Sequence, residues 1–244
     1  MKKSVNWQTL TPPGAKDALV AALAIVSMYA LLIGQAVGLW KLDVDRSVLI
    51  VAMPFMMVIA LGLPAWLLLR YLRNRGIEAG FLPLGKRGWH LLWQVPAIII
   101  SAGIVTSILG PLLGLNNAED TSVLEEVGVG RALPIIVTLA AYLLVGPFLE
   151  ELIFRRVLMG YFDTLMPAAL SVILSSVIFG IAHVSPPAIL YTTFFGLGCA
   201  LVTRWHGTLW ADLIAHVANN ALIQLTTLAV LLGRVGPAVP ERRS

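Results

Sequence analysis

Long apolar runs alternate with short polar segments along the whole chain. An α-helix needs about 20 apolar residues to cross a membrane, and the runs reach or approach that length. The predicted spans cover residues 18–40, 47–69, 90–113, 131–160, 164–183, 187–205 and 209–233. The chain is therefore predicted to be all-α, a polytopic transmembrane helical bundle with about seven or eight spans.

The composition agrees with a membrane protein. Hydrophobic residues make up 58% and charged residues 12% of the chain, against roughly 25% charged residues in soluble domains. Too few polar groups remain to cover a water-soluble surface, which excludes disorder, a collagen-like fibre and an ordinary soluble enzyme. The single cysteine, Cys199, excludes an intramolecular disulfide and a cysteine-rich metal site.

The basic residues lie between the apolar runs, so the net charge of +4 indicates loop charges rather than a nucleic-acid-binding surface. We therefore expect membrane lipid as a partner and no nucleic acid. More Lys and Arg lie on the N-terminal side of the spans than on the other side, which predicts a cytoplasmic N-terminus. Short loops and the absence of an organelle signal favour a bacterial inner membrane. The acidic segment 119–126 is predicted to be a solvated external loop.

Ionisable side chains are costly inside a membrane, so those within the apolar runs are the candidate functional residues. Most of the spans contain none. The candidates among the polar side chains that enter the fourth, fifth and seventh runs are Glu150, Glu151, Arg155, His183, His216 and Asn220. Asp212 and Asn219 are close enough in sequence to support His216 and Asn220, but no role is predicted for them.

Helical spacing separates the two glutamates. Glu151 and Arg155 are four residues apart and are predicted to form an ion pair that orders this segment. Glu150 points about 100° away from Glu151 and has no partner at helical spacing, so it is interpreted as the free carboxylate. Arg156 is predicted to be only a positive charge on the loop side.

Two further pairs share a helix face because their members are four residues apart. They are Phe179 with His183, and His216 with Asn220. The Asn220 amide can orient the imidazole or donate a hydrogen bond to a developing oxyanion. Counted from the connecting turns at about 1.5 Å per residue, Glu150, His183 and His216 reach intermediate depths from the same side of the membrane. The three groups are therefore predicted to converge.

Three short motifs carry a resemblance to a known family. Residues 150–155 read EELIFR, residues 179–183 read FGIAH and residues 216–220 read HVANN. They resemble the EExxxR, FxxxH and HxxxN motifs of the CPBP intramembrane proteases, a family that includes the CAAX proteases of prenylated proteins and Abi-type bacterial members associated with bacteriocin processing or immunity. Three motifs in this order on separate apolar helices are a fairly specific signal. The resemblance covers roughly residues 131–225.

The chain is predicted to have three parts within one integral bundle: three N-terminal spans with their loops (1–130), a CPBP-like catalytic core (131–233) and a basic tail (234–244). The resemblance implies only the second of these parts. It also implies that one carboxylate and one imidazole activate a water molecule while a second imidazole and an amide serve the oxyanion. These catalytic groups are Glu150, His183, His216 and Asn220. The expected supporting residues are Glu151, Arg155 and Phe179.

A metal-assisted mechanism stays open beside this one. Glu150, His183 and His216 form a plausible three-ligand set for a catalytic Zn²⁺ with an open fourth position. The HExxH motif is absent, and metal-free activation of water by Glu150 and His183 would use the same residues. The family is usually described as metalloproteases, which favours zinc.

The leading prediction is an intramembrane endopeptidase of the metalloprotease type. Its substrate would be a membrane-associated peptide or lipidated protein, such as a prenylated CAAX-like or a leader-bearing peptide. The alternatives are a non-catalytic CPBP-like membrane scaffold or peptide-toxin immunity protein, and a proton-coupled transporter with a Glu and His relay. Retention of all four catalytic candidates favours catalysis over an idle relative.

Overall fold

A computed structural model describes residues 10–115 and 132–234 of the chain. Within these residues the secondary structure is helical and no strand occurs. The seven helices are α1 (Ala15–Lys41), α2 (Arg46–Asn74), α3 (Leu91–Leu112), α4 (Ala132–Phe162), α5 (Ala168–Ile181), α6 (Pro186–His206) and α7 (Leu209–Arg234). A short 3₁₀ turn, Lys86–His90, leads into α3. The external acidic segment 119–126 and the tail beyond residue 234 lie outside the described residues.

Six of the seven helices are long and apolar enough to cross a membrane, which confirms the predicted polytopic bundle. Large apolar side chains project outward from them, as a lipid-facing surface requires. Examples are Leu19, Ile33, Ile100, Ile136, Leu201 and Leu225. The six apolar helices and their exposed faces together indicate an integral membrane protein.

The fifth predicted span, 164–183, is longer than the helix that the structure contains there. The helix α5 has only 14 residues and is about 21 Å in length. Pro167 has an extended ψ of 145°, so the helix begins only at Ala168. At the other end the helix stops at Ile181, because Val184 turns the chain with a positive φ of 62°. The hydropathy of the flanking residues does not reveal either boundary.

The long central helix α4 is not a regular α-helix. It is π-helical over Ala141–Val145 and again over Glu151–Met159. Pro147 follows the first wide turn and has no N–H to donate back along the helix. All nine residues of the second wide segment are buried, so tertiary packing holds a geometry that is rare in isolated helices.

Helix α4 lies at the centre of the bundle. It contacts α1, α2, α5 and α7, while α5 packs along α6 and α3 packs along the other side of α6. Leu149, Leu152 and Ile153 are fully buried in the resulting core. Two glycines permit close helix contacts: a Cβ atom at Gly180 would lie 1.9 Å from Thr193 Oγ1, and one at Gly196 would lie 2.7 Å from the Phe179 ring. Helices α5 and α6 are therefore in close contact.

The connections at one end of the bundle bind to one another. Arg156 is buried, not a loop charge as predicted, and its guanidinium donates to the backbone carbonyls of Glu78 at 2.5 Å and Thr11 at 2.7 Å. The backbone N–H of Leu209 donates to the Gly80 carbonyl at 3.0 Å. The N-terminal segment, the α2–α3 connection, the end of α4 and the start of α7 therefore lie on the same side, as the alternation of spans requires.

Candidate active site

The two adjacent glutamates of α4 lie where its second π-helical segment begins. Their side chains have different environments: Glu150 is 24% exposed and Glu151 is 1% exposed. The wide turn nevertheless lets both carboxylates reach one imidazole on α7, that of His216. The sequence spacing predicted a separation of the two glutamates on α4 but not this shared partner.

His216 lies between the two carboxylates. Its Nδ1 is 2.6 Å from Glu151 Oε1, and its Nε2 is 3.5 Å from Glu150 Oε2. A carboxylate accepts hydrogen bonds, so the short contact places the hydrogen of the ring on Nδ1 and directs Nε2 toward Glu150. The 3.5 Å separation is too long for a strong hydrogen bond, and Glu150 Oε2 has no hydrogen-bond partner among the described residues. Because Glu150 is the more exposed of the two and makes the longer contact with His216, it is the carboxylate of the pair that is accessible to a ligand.

A buried ion cluster lies behind His216. The predicted i,i+4 pair is present, with Arg155 Nε 3.6 Å from Glu151 Oε2. The same nitrogen is 3.1 Å from Asp212 Oδ2, and the guanidinium lies 4.7 Å from the centre of the Phe179 ring. Arg155, Glu151 and Asp212 are fully buried. Arg155 therefore pairs with two carboxylates and not with Glu151 alone.

Sequence reasoning did not assign a role to Asp212. The signal was present, because Asp212 precedes His216 by four residues and lies on the same face of α7. Its partner on α4 could not be identified without the helix packing. Glu151 also does more than predicted, since it holds both Arg155 and the Nδ1 of His216.

His183 follows the C-terminal end of α5. Its Nδ1 is 2.9 Å from the Phe179 carbonyl oxygen, which accepts the ring hydrogen and leaves the lone pair on Nε2. The Phe179 ring packs edge-to-face on His183 at 4.8 Å and on His216 at 5.8 Å. Phe179 thus contacts both candidate histidines, and the predicted helix face of Phe179 and His183 is present.

The residue after His183 has an unusual backbone conformation. Val184 has a φ of 62°, in the left-handed region where a β-branched side chain is rarely found. This conformation costs roughly 1–2 kcal/mol for an L-residue. Such outliers persist only where the surrounding structure holds them, and they are concentrated at functional sites.

Glu150 and His183 line one cavity of about 380 Å³. Most of its remaining wall is apolar and includes Ile25 and Met28 of α1. Tyr29 also lines it, and its hydroxyl donates a hydrogen bond to the backbone carbonyl of Ala182. Sequence reasoning missed Tyr29, because a lone tyrosine in the first apolar run gives no signal of a contact with α5.

Asn220 does not line the cavity of Glu150 and His183, but its amide binds the backbone of α4 beside that cavity. Its Nδ2 donates to the carbonyl of Tyr142 at 2.8 Å, and Tyr142 lines the cavity. Asn219 donates to Asn220 Oδ1 at 3.2 Å and accepts a hydrogen bond from the Tyr191 hydroxyl at 2.5 Å. Asn219 therefore fixes the orientation of the Asn220 side chain.

The predicted zinc ligands do not form a ready metal site. Among the described residues, no group of three His, Cys, Asp or Glu side chains is gathered closely enough to hold a metal ion. The Nδ1 of His216 is bonded to Glu151 and that of His183 to the Phe179 carbonyl, which leaves the Nε2 atom of each ring for a ligand. Zinc binding by Glu150, His183 and His216 stays a prediction.

The comparisons with known proteins support this reading of the motifs. Residues 132–222 match the sequence model of the family described as Type II CAAX prenyl endopeptidase Rce1-like. A protein of Bacillus subtilis named "Putative membrane peptidase YdiL" is 29% identical over 145 residues, and the match covers 58% of this chain and 58% of that protein. No solved structure matches the chain.

All three motifs lie within the matched residues. The matches are consistent with the resemblance to the CPBP proteases and support a membrane protease. The first three helices precede the segment that matches the family.

Proposed function

We propose that the chain is an intramembrane endopeptidase with Glu150 and His183 as the groups that activate water. The observation that carries the proposal is their position on one cavity, with Glu150 held 3.5 Å from the imidazole of His216. Two groups that can accept a proton thus face a space large enough to hold a peptide bond and a water molecule. The family match and the similarity to a protein named as a membrane peptidase support the same activity.

In this proposal the Glu150 carboxylate accepts a proton from water while His183 Nε2 orients it. The water oxygen attacks the peptide carbonyl carbon, and the proton on Glu150 is then given to the departing amine. His216 lies next to Glu150 and stabilises the Glu150 carboxyl group as it gains and loses the proton. Asn220 has one amide hydrogen committed to the Tyr142 carbonyl, and its second is the proposed donor to the oxyanion.

The proposed substrate is a membrane-associated peptide, either a prenylated CAAX-like peptide or a leader-bearing one. The apolar side chains of Ile25, Met28 and Ile153 on the cavity wall support an apolar residue next to the scissile bond. The proposed setting is a bacterial inner membrane with a cytoplasmic N-terminus, supported by the distribution of Lys and Arg.

The test uses protein in liposomes and two fluorescence-quenched probes, a farnesylated CAAX peptide and an unprenylated leader peptide. We expect the wild type to cleave at least one probe and His183→Gln to lose about 100-fold or more of that rate, as for removal of a group that acts on a proton. His206→Gln is the matched control, because His206 binds Gln94 at the far end of α6. Wild-type cleavage by His183→Gln would overturn the assignment, and an intact wild type that cleaves neither probe would favour the scaffold or immunity alternative.

The same samples decide between metal-free and zinc-assisted activation. Zinc content is measured by mass spectrometry on the wild type, Glu150→Ala and a His183→Ala, His216→Ala double variant. Stoichiometric zinc in the wild type alone would establish the zinc-assisted mechanism and show that the side chains rearrange around the ion. An active wild type without metal supports water activation by Glu150 and His183.

A further inference from the structure

Helix α1 lies outside the segment that matches the family, yet it supplies part of the cavity wall. Its Tyr29 hydroxyl donates to the backbone carbonyl of Ala182, the residue immediately before His183. The two partners are 153 residues apart in sequence. This bond therefore ties the first helix of the chain to the turn that carries a candidate catalytic histidine.

The other hydrogen bonds of the turn are local, and they include the bond from the His183 imidazole to the Phe179 carbonyl. Three backbone hydrogen bonds, from the N–H groups of His183, Val184 and Ser185, all close within the turn or onto the last residues of α5. Val184 retains a left-handed conformation that its side chain disfavours. A disfavoured conformation of this kind persists only when contacts from elsewhere in the structure hold it. The Tyr29 hydroxyl makes such a contact on the residue before His183.

We infer that Tyr29 is a positioning residue of the active site: its bond to Ala182 fixes the turn so that the His183 imidazole stays on the wall of the Glu150 cavity. The inference rests on the proposed function for its catalytic consequence. The effect passes through the backbone, because the hydroxyl binds the carbonyl of Ala182 and the next residue in the chain carries the imidazole. Tyr29 does not need to touch the peptide or the water.

A second tyrosine, on α2, provides a matched control because its hydroxyl also binds α1. Tyr71 of α2 also uses its hydroxyl to tether α1, donating to Asp17 Oδ1 at 2.8 Å. Asp17 lies at the start of α1, at the end of the bundle that Arg75 also contacts. Tyr71→Phe and Tyr29→Phe therefore each remove one interhelical hydroxyl bond from α1, but only Tyr29→Phe affects the turn at His183.

The first experiment is steady-state cleavage of the farnesylated or leader probe by the full chain in liposomes. We expect Tyr29→Phe to lower kcat about 10- to 100-fold, because a small displacement of a catalytic group has effects of this size. KM is expected to stay within about twofold, and Tyr71→Phe is expected to stay within about twofold of wild type in both constants. An equal kcat in the two Phe variants would overturn the positioning role.

The second experiment does not depend on activity. Hydrogen–deuterium exchange of the backbone amides of residues 183–185 is compared in the wild type and both Phe variants. Tyr29→Phe is expected to raise their exchange rate at least about tenfold, and Tyr71→Phe is expected to leave it unchanged. Unchanged exchange in Tyr29→Phe would refute the inference even if the protein is active. If the wild type cleaves no probe, the proposed function fails, and the exchange result alone decides whether Tyr29 holds the turn.

Discussion

The polar centre of the bundle has two sides that meet at His216 and differ in almost every physical respect. On the inner side, Glu151, Arg155 and Asp212 are fully buried and bound to one another by charge. On the outer side, Glu150 is partly exposed, lies 3.5 Å from the imidazole of His216 and borders a cavity. Two neighbouring glutamates in the sequence thus have opposite environments.

The difference shows how one helix can combine structural and reactive carboxylates. A buried carboxylate that shares a guanidinium contributes to a fixed geometry, and losing its partner leaves an uncompensated charge. A carboxylate at a cavity wall contributes little to packing but can exchange protons with a ligand. The inner side should therefore control stability, and the outer side should control activity.

The largest expected effect tests the outer side. Glu150→Gln removes the proton acceptor with almost no change in shape, so we expect the cleavage rate to fall about 100- to 10,000-fold. The melting temperature in detergent is expected to stay within about 2 °C of wild type, because the change is smaller than about 0.5 kcal/mol.

The control for Glu150→Gln is Asp45→Asn. Asp45 is the exposed N-cap of α2, where Asn is an equally good cap, so both rate and stability should be unchanged. A large loss of stability in Glu150→Gln would mean that the outer side also contributes to stability, which would contradict the proposed division of roles.

The next effect tests the inner side. Arg155→Met leaves Glu151 and Asp212 buried without their cation, so we expect a loss of about 3–5 kcal/mol in the free energy of unfolding. Abundance in the membrane should fall with it, and activity should fall only in proportion to the folded protein.

Arg204→Met is the matched control for this prediction. Arg204 pairs with Asp163, but both side chains are about a quarter exposed. Loss of such a pair is expected to cost at most about 1 kcal/mol. A stable Arg155→Met protein with no activity would contradict the prediction and show that Arg155 is needed for catalysis rather than for stability.

The smallest effect concerns the strained turn beside the cavity. Val184→Gly removes the side chain that disfavours a φ of 62°, and the gain exceeds the extra backbone freedom that glycine has in the unfolded chain. We expect a net stabilisation of about 0.5–1 kcal/mol, measured by denaturant titration in detergent. Ala182→Gly, at a residue with helical backbone angles, should instead destabilise by a similar amount. Equal signs for the two glycine variants would contradict strain at Val184.

The sequence was sufficient to predict six membrane-spanning helices, because twenty consecutive apolar residues have few other uses, but it gave α5 too great a length. It was also sufficient for the Glu151–Arg155 pair, which depends only on spacing along one helix. The wide turns of α4 could not be predicted from hydropathy, since π and α segments share the same apolar pattern. The roles of Asp212 and Tyr29 depend on which helices are neighbours, and a single sequence does not contain that information.

The fold is confirmed, whereas the catalytic assignments of Glu150, His183, His216 and Asn220 are predictions. Spacing placed each group on a helix face. The structure places Glu150 and His183 on one cavity and His216 next to Glu150, whereas Asn220 binds the Tyr142 carbonyl. Their roles in hydrolysis stay predictions until the variants are measured.

The short length of α5 has a consequence for the lipid around the protein. The hydrocarbon core of a bilayer is about 30 Å thick, whereas α5 is about 21 Å long. A bilayer adapts to such hydrophobic mismatch by thinning next to the short segment. Thinning here would draw headgroups and their hydration toward the turn at His183, so the same short helix that carries the histidine would also help to bring water, the second reactant of hydrolysis, into an apolar membrane.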